Sequence, residues 1–557
     1  MRDVSNVWEL VAVLLAEAGC DLAVGVPADE SGLLDAEVDG LRTVIVRDQR
    51  VGACLATGHA MVSGRPAVLA LTSGPAFPNA LAGLAEAASL CVPLVVVTTR
   101  IPVEGLGRGG FQETDQRAMA SSLAKWHHVV ESPAQLAWAV RRAVHVAVNG
   151  RPGLAVVEIA DEVARGQVGA VPPRTAVSRL RAAPDPAAVR QAASVLRAAE
   201  RPLIILGGGA KAAGAGEPAL RLADVLGAPV MVTASGRGVV PETHACVVGL
   251  TGLYTTPPLE HLLAETDVVL AVGTRLEETV RLGWPTFEDV RLVHVDCDPY
   301  AFGQAIDPAT AILGDAAFTL KHLLEALGSS ELRPERADWR SRWAELDARA
   351  RAMRLGLSER TSLARDVIAE AGEAFGEHAT YVHENGLHDI WSYHYPLLPI
   401  GPQSAVVMPG EQTMLGFGLP AAIGAGLARP QVPTVVFCGD GALAMNVTAL
   451  ATAAEYRVGL IIVMFDNAGF GWPRHLRAAA GERADITRFR VPFPLGEVVT
   501  SLGGTVAEVM DRRQLRTALD DARATSARGA TALVRVPVPD DDIPPGIARV
   551  LSESHGE

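Results

Sequence analysis

At 557 residues, the chain is long enough for three or four domains of ordinary size. Hydrophobic residues make up 49% of it and charged residues 20%, which is typical of a globular protein with large cores. The 49 basic and 63 acidic side chains give a formal net charge of −14, and this negative field disfavours nucleic acid and anionic membranes as partners.

The N-terminal segment shows no targeting signal. Residues 7–11 have the apolar spacing of a helix and include the charged Glu9, whereas a secretory signal has a continuous apolar run. The longest apolar stretches, such as residues 94–97 and 460–465, are too short to cross a bilayer. The six cysteines form no CxxC pair and lie mostly in apolar runs, as buried thiols in a reducing compartment do. We therefore predict a cytoplasmic protein with no membrane partner.

Short apolar strands alternate with helical segments along the whole chain. This alternation predicts parallel sheets that are covered by helices on both faces. Examples of the predicted strands are residues 22–26, 43–46, 67–71 and 94–97.

The alternation is interrupted twice. Residues 168–190 contain four prolines and predict a linker. Residues 329–356 are dense in charge, arginine above all, and predict an exposed helix that joins two domains. The predicted fold is therefore α/β, with three doubly wound parallel-sheet domains at residues 1–167, 188–328 and 357–541.

Two neighbouring strands of the third predicted domain each end in a polar turn that contains glycine. Residues 434–437 form a strand that leads into Gly439-Asp440-Gly441 and a helical segment. Residues 460–465 form the next strand and lead into Asp466-Asn467-Ala468-Gly469. In open parallel sheets, ligands bind at such carboxyl ends.

These turns offer ligands for a metal ion and for a phosphate group. A carboxylate oxygen of Asp440, the side-chain carbonyl of Asn467 and the backbone carbonyl of Gly469 are hard oxygen donors. They suit Mg²⁺, whose octahedron is usually completed by phosphates and water. The Gly441 amide, at the start of the helix, suits a phosphate oxygen.

The unit of Gly439-Asp440-Gly441, 25 intervening residues and Asn467 resembles the thiamine-diphosphate (ThDP) motif. The likeness to acetolactate synthases and related ThDP decarboxylases covers nearly all of the chain. It implies a pyrimidine-binding first domain, a central domain and a diphosphate-binding third domain. The other fragments that carry it include Gly25-Val26-Pro27, Thr72-Ser73-Gly74-Pro75 with Asn79, Phe111-Gln112-Glu113-Thr114-Asp115, Gly207-Gly208-Gly209, and residues 416–424 from Gly416-Phe417-Gly418 onward.

The resemblance assigns roles in cofactor binding. Asp440, Asn467 and the Gly469 carbonyl would hold Mg²⁺, and Gly386 with His388 would contact the diphosphate. Leu415 would hold ThDP in a bent shape, while the Thr413 carbonyl would accept its 4′-amino group. Further cofactor contacts are implied for Gly439 and Gly441 in the third domain and for Pro27, Thr72 and Asn79 in the first.

One position departs from the family pattern. The family carries a glutamate that exchanges a proton with N1′ of the pyrimidine, but counting back from Thr72-Ser73-Gly74-Pro75 places Gln49 there. A glutamine can hold N1′ by a hydrogen bond but cannot exchange a proton with it. Three interpretations stay open: an active enzyme with slow activation of ThDP, replacement by the adjacent Asp48 after a local shift, or a ThDP-binding protein that has lost catalysis.

Four other residues are candidates near the reacting carbon of the cofactor. Asp29 and Glu30 follow the Gly25-Val26-Pro27 fragment, where decarboxylases of the family carry an acid, and they are alternatively helix N-terminal charges. Phe111 and Gln112 match a Phe-Gln pair of the acetolactate synthases. With Gln49, these residues form the predicted catalytic set.

The leading hypothesis is a ThDP- and Mg²⁺-dependent carboligase. It would decarboxylate a 2-oxo acid such as pyruvate and transfer the acyl unit to a second carbonyl compound. The alternative is a decarboxylase that releases an aldehyde, with Asp29 or Glu30 as the proton donor. The resemblance also implies a homodimer or homotetramer with ThDP between subunits. Residues 249–254 depart from the family's flavin-contacting stretch, so the sequence leaves FAD binding undecided.

Overall fold

A computed structural model describes residues 4–28, 32–167, 177–284, 290–328, 334–356, 363–395, 397–540 and 542–544. It contains three parallel sheets of six strands each, with helices between the strands. This confirms the predicted fold class of three doubly wound α/β domains.

The first sheet has the strand order β2-β1-β3-β4-β6-β5. Its four inner strands are apolar and almost wholly buried, as parallel strands covered on both faces must be, whereas its two edge strands are only partly buried. The strands are β1 Leu22–Gly25, β2 Arg42–Ile45, β3 Ala67–Leu71, β4 Leu94–Arg100, β5 Ala124–Val130 and β6 Leu154–Ala160. The helices are α1 Val7–Glu17, α2 Gln49–Ser63, α3 Ala76–Ser89, α4 Gln116–Ala120, α5 Pro133–Val148 and α6 Asp161–Ala164.

The central sheet has the order β12-β11-β10-β7-β8-β9. Its strands are β7 Pro202–Leu206, β8 Val230–Val232, β9 Val247–Leu250, β10 Val268–Val272, β11 Arg291–Asp296 and β12 Thr310–Leu313. Its helices are α7 Pro186–Ala198, α8 Gly208–Ala212, α9 Gly216–Leu226, α10 Glu260–Glu265, α11 Glu278–Arg281 and α12 Ala316–Leu327. The predicted linker is therefore too long, since α7 begins at Pro186 behind the N-cap Asp185.

The long helix α13, Pro334–Gly356, joins the central and third domains. The prediction of a simply exposed helix is wrong, because Trp339, Trp343 and Leu346 are buried against the central domain. The indole nitrogen of Trp339 donates to the Pro202 carbonyl at 3.0 Å. High arginine content concealed this buried face in the sequence.

The third sheet has the order β14-β13-β15-β16-β18-β17, which repeats the connectivity of the first sheet. Its strands are β13 Thr380–His383, β14 Ala405–Val407, β15 Thr434–Gly439, β16 Leu460–Asp466, β17 Thr505–Glu508 and β18 Ala532–Pro537. Its helices are α14 Leu363–Phe375, α15 Leu387–Tyr393, α16 Gly418–Ala428, α17 Asp440–Met445, α18 Ala449–Glu455, α19 Gly471–Ala479, α20 Leu495–Ser501 and α21 Leu515–Ser526.

The first and third domains share one hydrophobic core. Helix α2 packs directly on α16, and glycines allow the two backbones to touch. A Cβ atom on Gly58 would lie 2.1 Å from the Ala421 carbonyl oxygen, and one on Gly424 would lie 1.9 Å from that of Leu55. The middle of α2 is thereby held against the third domain.

Within the described ranges, no helix is both long and apolar enough to cross a membrane.

Candidate active site

The turns after β15 and β16 meet at one edge of the third sheet. The two strands are parallel neighbours, with Gly439 opposite Phe465. Asp440 begins α17, and its Oδ2 accepts a hydrogen bond of 3.1 Å from the Gly469 amide. The tertiary structure thus brings together the two polar turns that the sequence placed on neighbouring strands.

The oxygen atoms at this edge fit a magnesium ion. Asp440 Oδ1 is buried and receives no hydrogen bond from any described residue. Burial, reinforced by the nearby Asp466 carboxylate, raises the pKa of Asp440 to about 6. The described residues contain no cluster of three or more His, Cys, Asp or Glu side chains that could hold a metal ion. Asp440 Oδ1 and the neutral oxygens of the adjoining turns are hard donors of the kind that Mg²⁺ takes together with phosphate ligands.

His388 lies beside this edge with an unsatisfied nitrogen. Its ring stacks on Phe465 at 5.2 Å between centroids, and Nε2 is buried without a hydrogen-bond partner among the described residues. Burial lowers the pKa of His388 to about 4, so the ring is neutral at pH 7. Gly386 makes room for it, because a Cβ there would lie 2.6 Å from His388 Cε1. A neutral imidazole carries a single N–H, so Nε2 can donate to an anion in the tautomer that has its proton on this nitrogen.

A cavity of about 420 Å³ opens at this edge. Its wall contains eight of the residues predicted to bind the cofactor: Gly386, His388, Thr413, Leu415, Gly439, Gly441, Asn467 and Gly469.

The rest of the wall was not predicted from the sequence. Trp391, Phe470 and Trp472 make much of it apolar, and the central domain contributes Tyr254. Trp391 lies on α15 with His388, and Phe470 and Trp472 follow the Asn467 turn, so proximity to the motifs was a usable signal for all three. No such signal existed for Tyr254, because only domain packing brings it to the cavity.

Asp389 is a second unpredicted residue of the wall. It follows His388 directly, is buried, and lines the cavity. Burial raises the pKa of the Asp389 carboxyl well above its usual range. Its position in the first turn of α15 also suits a helix-capping acid.

The predicted first-domain residues do not line this cavity. Gln49 and Asn79 contact each other, since the Asn79 Nδ2 atom donates to Gln49 Oε1 at 2.7 Å. Gln112 adopts a left-handed φ of 62° and packs on Gly74, where a Cβ would lie 2.6 Å from that of Gln112. Phe111 is 85% exposed. Pro27 and Thr72 also lie outside the wall, and Asp29 and Glu30 lie outside the described residues.

Asp48 is occupied as the N-cap of α2. Its Oδ1 atom accepts hydrogen bonds from the amides of Arg50 at 2.8 Å and Val51 at 3.4 Å. Such caps satisfy helix amides that have no partner within the helix. This geometry weighs against the interpretation in which Asp48 replaces the missing glutamate.

Comparison with known families agrees with this architecture. Residues 5–119 match the thiamine pyrophosphate enzyme N-terminal TPP binding domain, and residues 189–323 match the central domain. Residues 384–536 match the C-terminal TPP binding domain. Each match falls on one of the three sheets described above.

Similar proteins are acetolactate synthases. The acetolactate synthase of Mycobacterium bovis is 30% identical over 474 residues, which cover 83% of this chain and 76% of that protein. The large subunit from Parasynechococcus marenigrum is 31% identical over 78% of this chain and 70% of its own length. A probable large subunit from Methanocaldococcus jannaschii is 29% identical over 77% and 74%. The chain belongs to the family of thiamine-diphosphate-dependent enzymes of the acetolactate synthase type.

Proposed function

We propose that this enzyme uses ThDP and Mg²⁺ to decarboxylate a 2-oxo acid such as pyruvate and to join the acyl unit to a second carbonyl compound. The observation that carries the proposal is a pair of buried polar atoms without a partner among the described residues: Nε2 of His388 in the cavity wall, and Oδ1 of Asp440, which lies in the chain between the wall residues Gly439 and Gly441. When bound, ThDP supplies the electron sink for decarboxylation and the carbon that carries the acyl unit.

The residues of the cavity have separable roles in this proposal. Asp440, Asn467 and the Gly469 carbonyl hold Mg²⁺, while His388 and the Gly441 amide bind the diphosphate. Leu415 and the Thr413 carbonyl hold the pyrimidine and its amino group.

The apolar wall favours ligation over release of an aldehyde. Trp391, Phe470 and Trp472 line the space beside the cofactor contacts with apolar surface. A dry site suppresses competing protonation by solvent and leaves a second carbonyl compound as the acceptor. It also makes charge in the substrate carboxylate costly, which favours its loss as CO₂.

A second copy of the chain completes the site in this proposal. Thr413 is exposed at the mouth of the cavity, and the first-domain residues lie elsewhere in the same chain. The exposed Phe111, together with Gln112, Gln49 and Asn79, would reach the cavity of a partner subunit. The minimum assembly is therefore a homodimer, and two dimers would form a homotetramer.

The experiment is mass spectrometry of products after pyruvate is offered with a panel of aldehydes and 2-oxo acids. We expect ligated hydroxyketones, absent from parallel reactions of Asp440→Ala. Release of free aldehyde alone would instead assign a non-ligating decarboxylase. If ThDP-loaded protein turns over no 2-oxo acid, the chain is a binding protein without catalysis. Gln49 motivates this test, because a glutamine cannot exchange a proton with N1′.

A further inference from the structure

The turn at residues 410–414 has an unfavourable backbone conformation. Thr413 has φ of +45°, a left-handed value that side chains other than glycine rarely adopt. Its amide donates to the Gly410 carbonyl at 2.9 Å, which closes the turn. Thr413 and Leu415 both line the cavity. Some interaction outside the turn must therefore keep it in the shape that presents these residues.

Glu86 supplies that interaction from the first domain. This side chain lies on α3 and is fully buried. One carboxylate oxygen accepts from the Met414 amide at 2.8 Å, and the other accepts from the Gly410 amide. The two amides lie on either side of Thr413, so one rigid carboxylate spans the strained residue. Burial raises the pKa of Glu86, and the two donated hydrogen bonds oppose that rise.

Other contacts hold the flanks of the same segment. The Thr279 hydroxyl of the central domain donates to Glu411 at 2.6 Å. The side-chain amide of Asn446 donates to the Gly416 carbonyl at 2.6 Å. Glu86 differs from these groups because it binds backbone amides on both sides of Thr413. It therefore controls the direction of the Thr413 carbonyl more directly than they do.

We propose that Glu86 is a positioning residue of the cofactor site: it fixes the 410–414 turn so that the Thr413 carbonyl and Leu415 face the cavity. The assignment of those two groups to ThDP rests on the proposed function. The effect on the turn does not, because it is a property of the cofactor-free chain. Through Glu86, the first domain of each chain shapes the third-domain cavity of that same chain.

The test is amide hydrogen exchange, resolved by mass spectrometry, on the cofactor-free protein and its Glu86→Gln variant. Glutamine offers one acceptor oxygen and sets its NH₂ against the remaining backbone amide. We expect exchange at Gly410 or Met414 to rise by roughly 10–100-fold, the effect of losing a hydrogen bond to a charged group. The matched control is Glu131→Gln, an exposed site in the same domain, which should change neither amide.

Two further measurements separate positioning from general stability. Calorimetry should show ThDP affinity about 10-fold weakened in Glu86→Gln. Thr413→Gly removes the conformational cost of the turn, so adding it to Glu86→Gln should restore much of that affinity, while exchange stays fast because the acceptor for the amide is still missing. Unchanged exchange in Glu86→Gln, or loss of protection spread over the whole chain, overturns the proposal.

If the variant does not fold, the natural protein gives the answer: rapid exchange of the Met414 amide overturns the proposal, and slow exchange supports it. Failure of the natural protein to bind ThDP would instead refute the proposed function and leave the exchange result standing.

Discussion

The side-chain amide of Asn79 donates a hydrogen bond of 2.7 Å to Oε1 of Gln49. The same Asn79 nitrogen lies 3.5 Å from Oδ1 of Asp48, which can only accept, so both contacts give the nitrogen the role of donor. With Oε1 occupied, the Nε2 group of Gln49 is the one that would face a pyrimidine nitrogen in the proposed site. That group donates a hydrogen bond to an unprotonated nitrogen and cannot supply it with a proton.

We therefore expect Gln49→Glu to accelerate the exchange of the C2 hydrogen of bound ThDP with solvent deuterium. A carboxylic acid at N1′ restores the general acid–base contribution, which is typically about 10²–10⁴-fold. Quenched-flow NMR measures the exchange. Overall turnover need not rise, because a new negative charge opposes binding of an anionic 2-oxo acid.

The control for this prediction is Asp48→Asn. Asparagine also caps helices well, so the variant should keep α2 intact and leave the exchange rate unchanged. Fast exchange in the natural protein that is insensitive to Gln49→Glu but collapses in Asp48→Asn would transfer the role from Gln49 to Asp48.

Asp440→Ala should abolish retention of ThDP. The substitution removes the only carboxylate that we assign to Mg²⁺, and with it the link between the metal and the diphosphate. Calorimetry with ThDP and Mg²⁺ measures the loss, and Asp485→Ala, an exposed site in the same domain, serves as the control. Equal affinities for the natural protein and Asp440→Ala would refute the assignment.

Gly386→Ala should weaken ThDP binding without unfolding the domain. The added Cβ would lie 2.6 Å from His388 Cε1, so the ring must leave its stack on Phe465 and its Nε2 must turn away. Loss of a hydrogen bond to a charged phosphate predicts roughly 10–100-fold weaker binding. Gly496→Ala, whose Cβ would meet nothing closer than 3.7 Å, should bind ThDP normally. A crystal structure of Gly386→Ala with His388 unmoved would contradict the argument.

Dilution of the enzyme into monomers should remove activity and cofactor together. If two chains form each site, dissociation leaves ThDP bound by half of its contacts, and mass action then releases it. Light scattering across a concentration series, with bound ThDP measured in parallel, follows both changes. A monomer with full activity is incompatible with a shared site.

The stability of the protein should depend on pH through Glu384. Burial raises the pKa of this carboxyl to about 7, although the amides of Gly418 and Asn385 donate to it at 2.7 and 3.0 Å. The unfolded chain releases the same proton near pH 4.3, about the usual value for glutamate. Between these two pH values the folded protein holds the extra proton, so the stability contributed by this group falls as pH rises through about 7.

Thermal melts of the natural protein and Glu384→Gln between pH 5 and pH 8 test this expectation. The melting temperature of the natural protein, relative to Glu384→Gln, should be highest at acidic pH and should decline toward pH 8. Glu373 is exposed, so the difference in melting temperature between the natural protein and Glu373→Gln should not change with pH over the same range. If the difference in melting temperature between the natural protein and Glu384→Gln does not change with pH, the Glu384 carboxyl is not buried as described.

Local sequence determined the three-sheet fold and the edge of the third sheet where we propose that Mg²⁺ binds. Apolar strands such as β4 and β16 can be buried on both faces only in a helix-covered parallel sheet, so their alternation with helices identifies the architecture. Asp440 and Asn467 follow neighbouring strands, and the carboxyl ends of parallel strands necessarily share one edge. Gly386 and His388 could be recognised because one short motif contains both residues.

Only the tertiary structure decided which distant groups meet. Glu86 lies 324 residues before Gly410, and Tyr254 reaches the cavity from another domain, so neither contact leaves a periodic or spaced pattern in the chain. Buried polar contacts of this kind depend on how domains pack, which is set by whole surfaces rather than by local spacing. For the same reason the sequence could place a glutamine at position 49, but only the fold showed that Asn79 binds its oxygen and that Asp48 is committed to a helix cap.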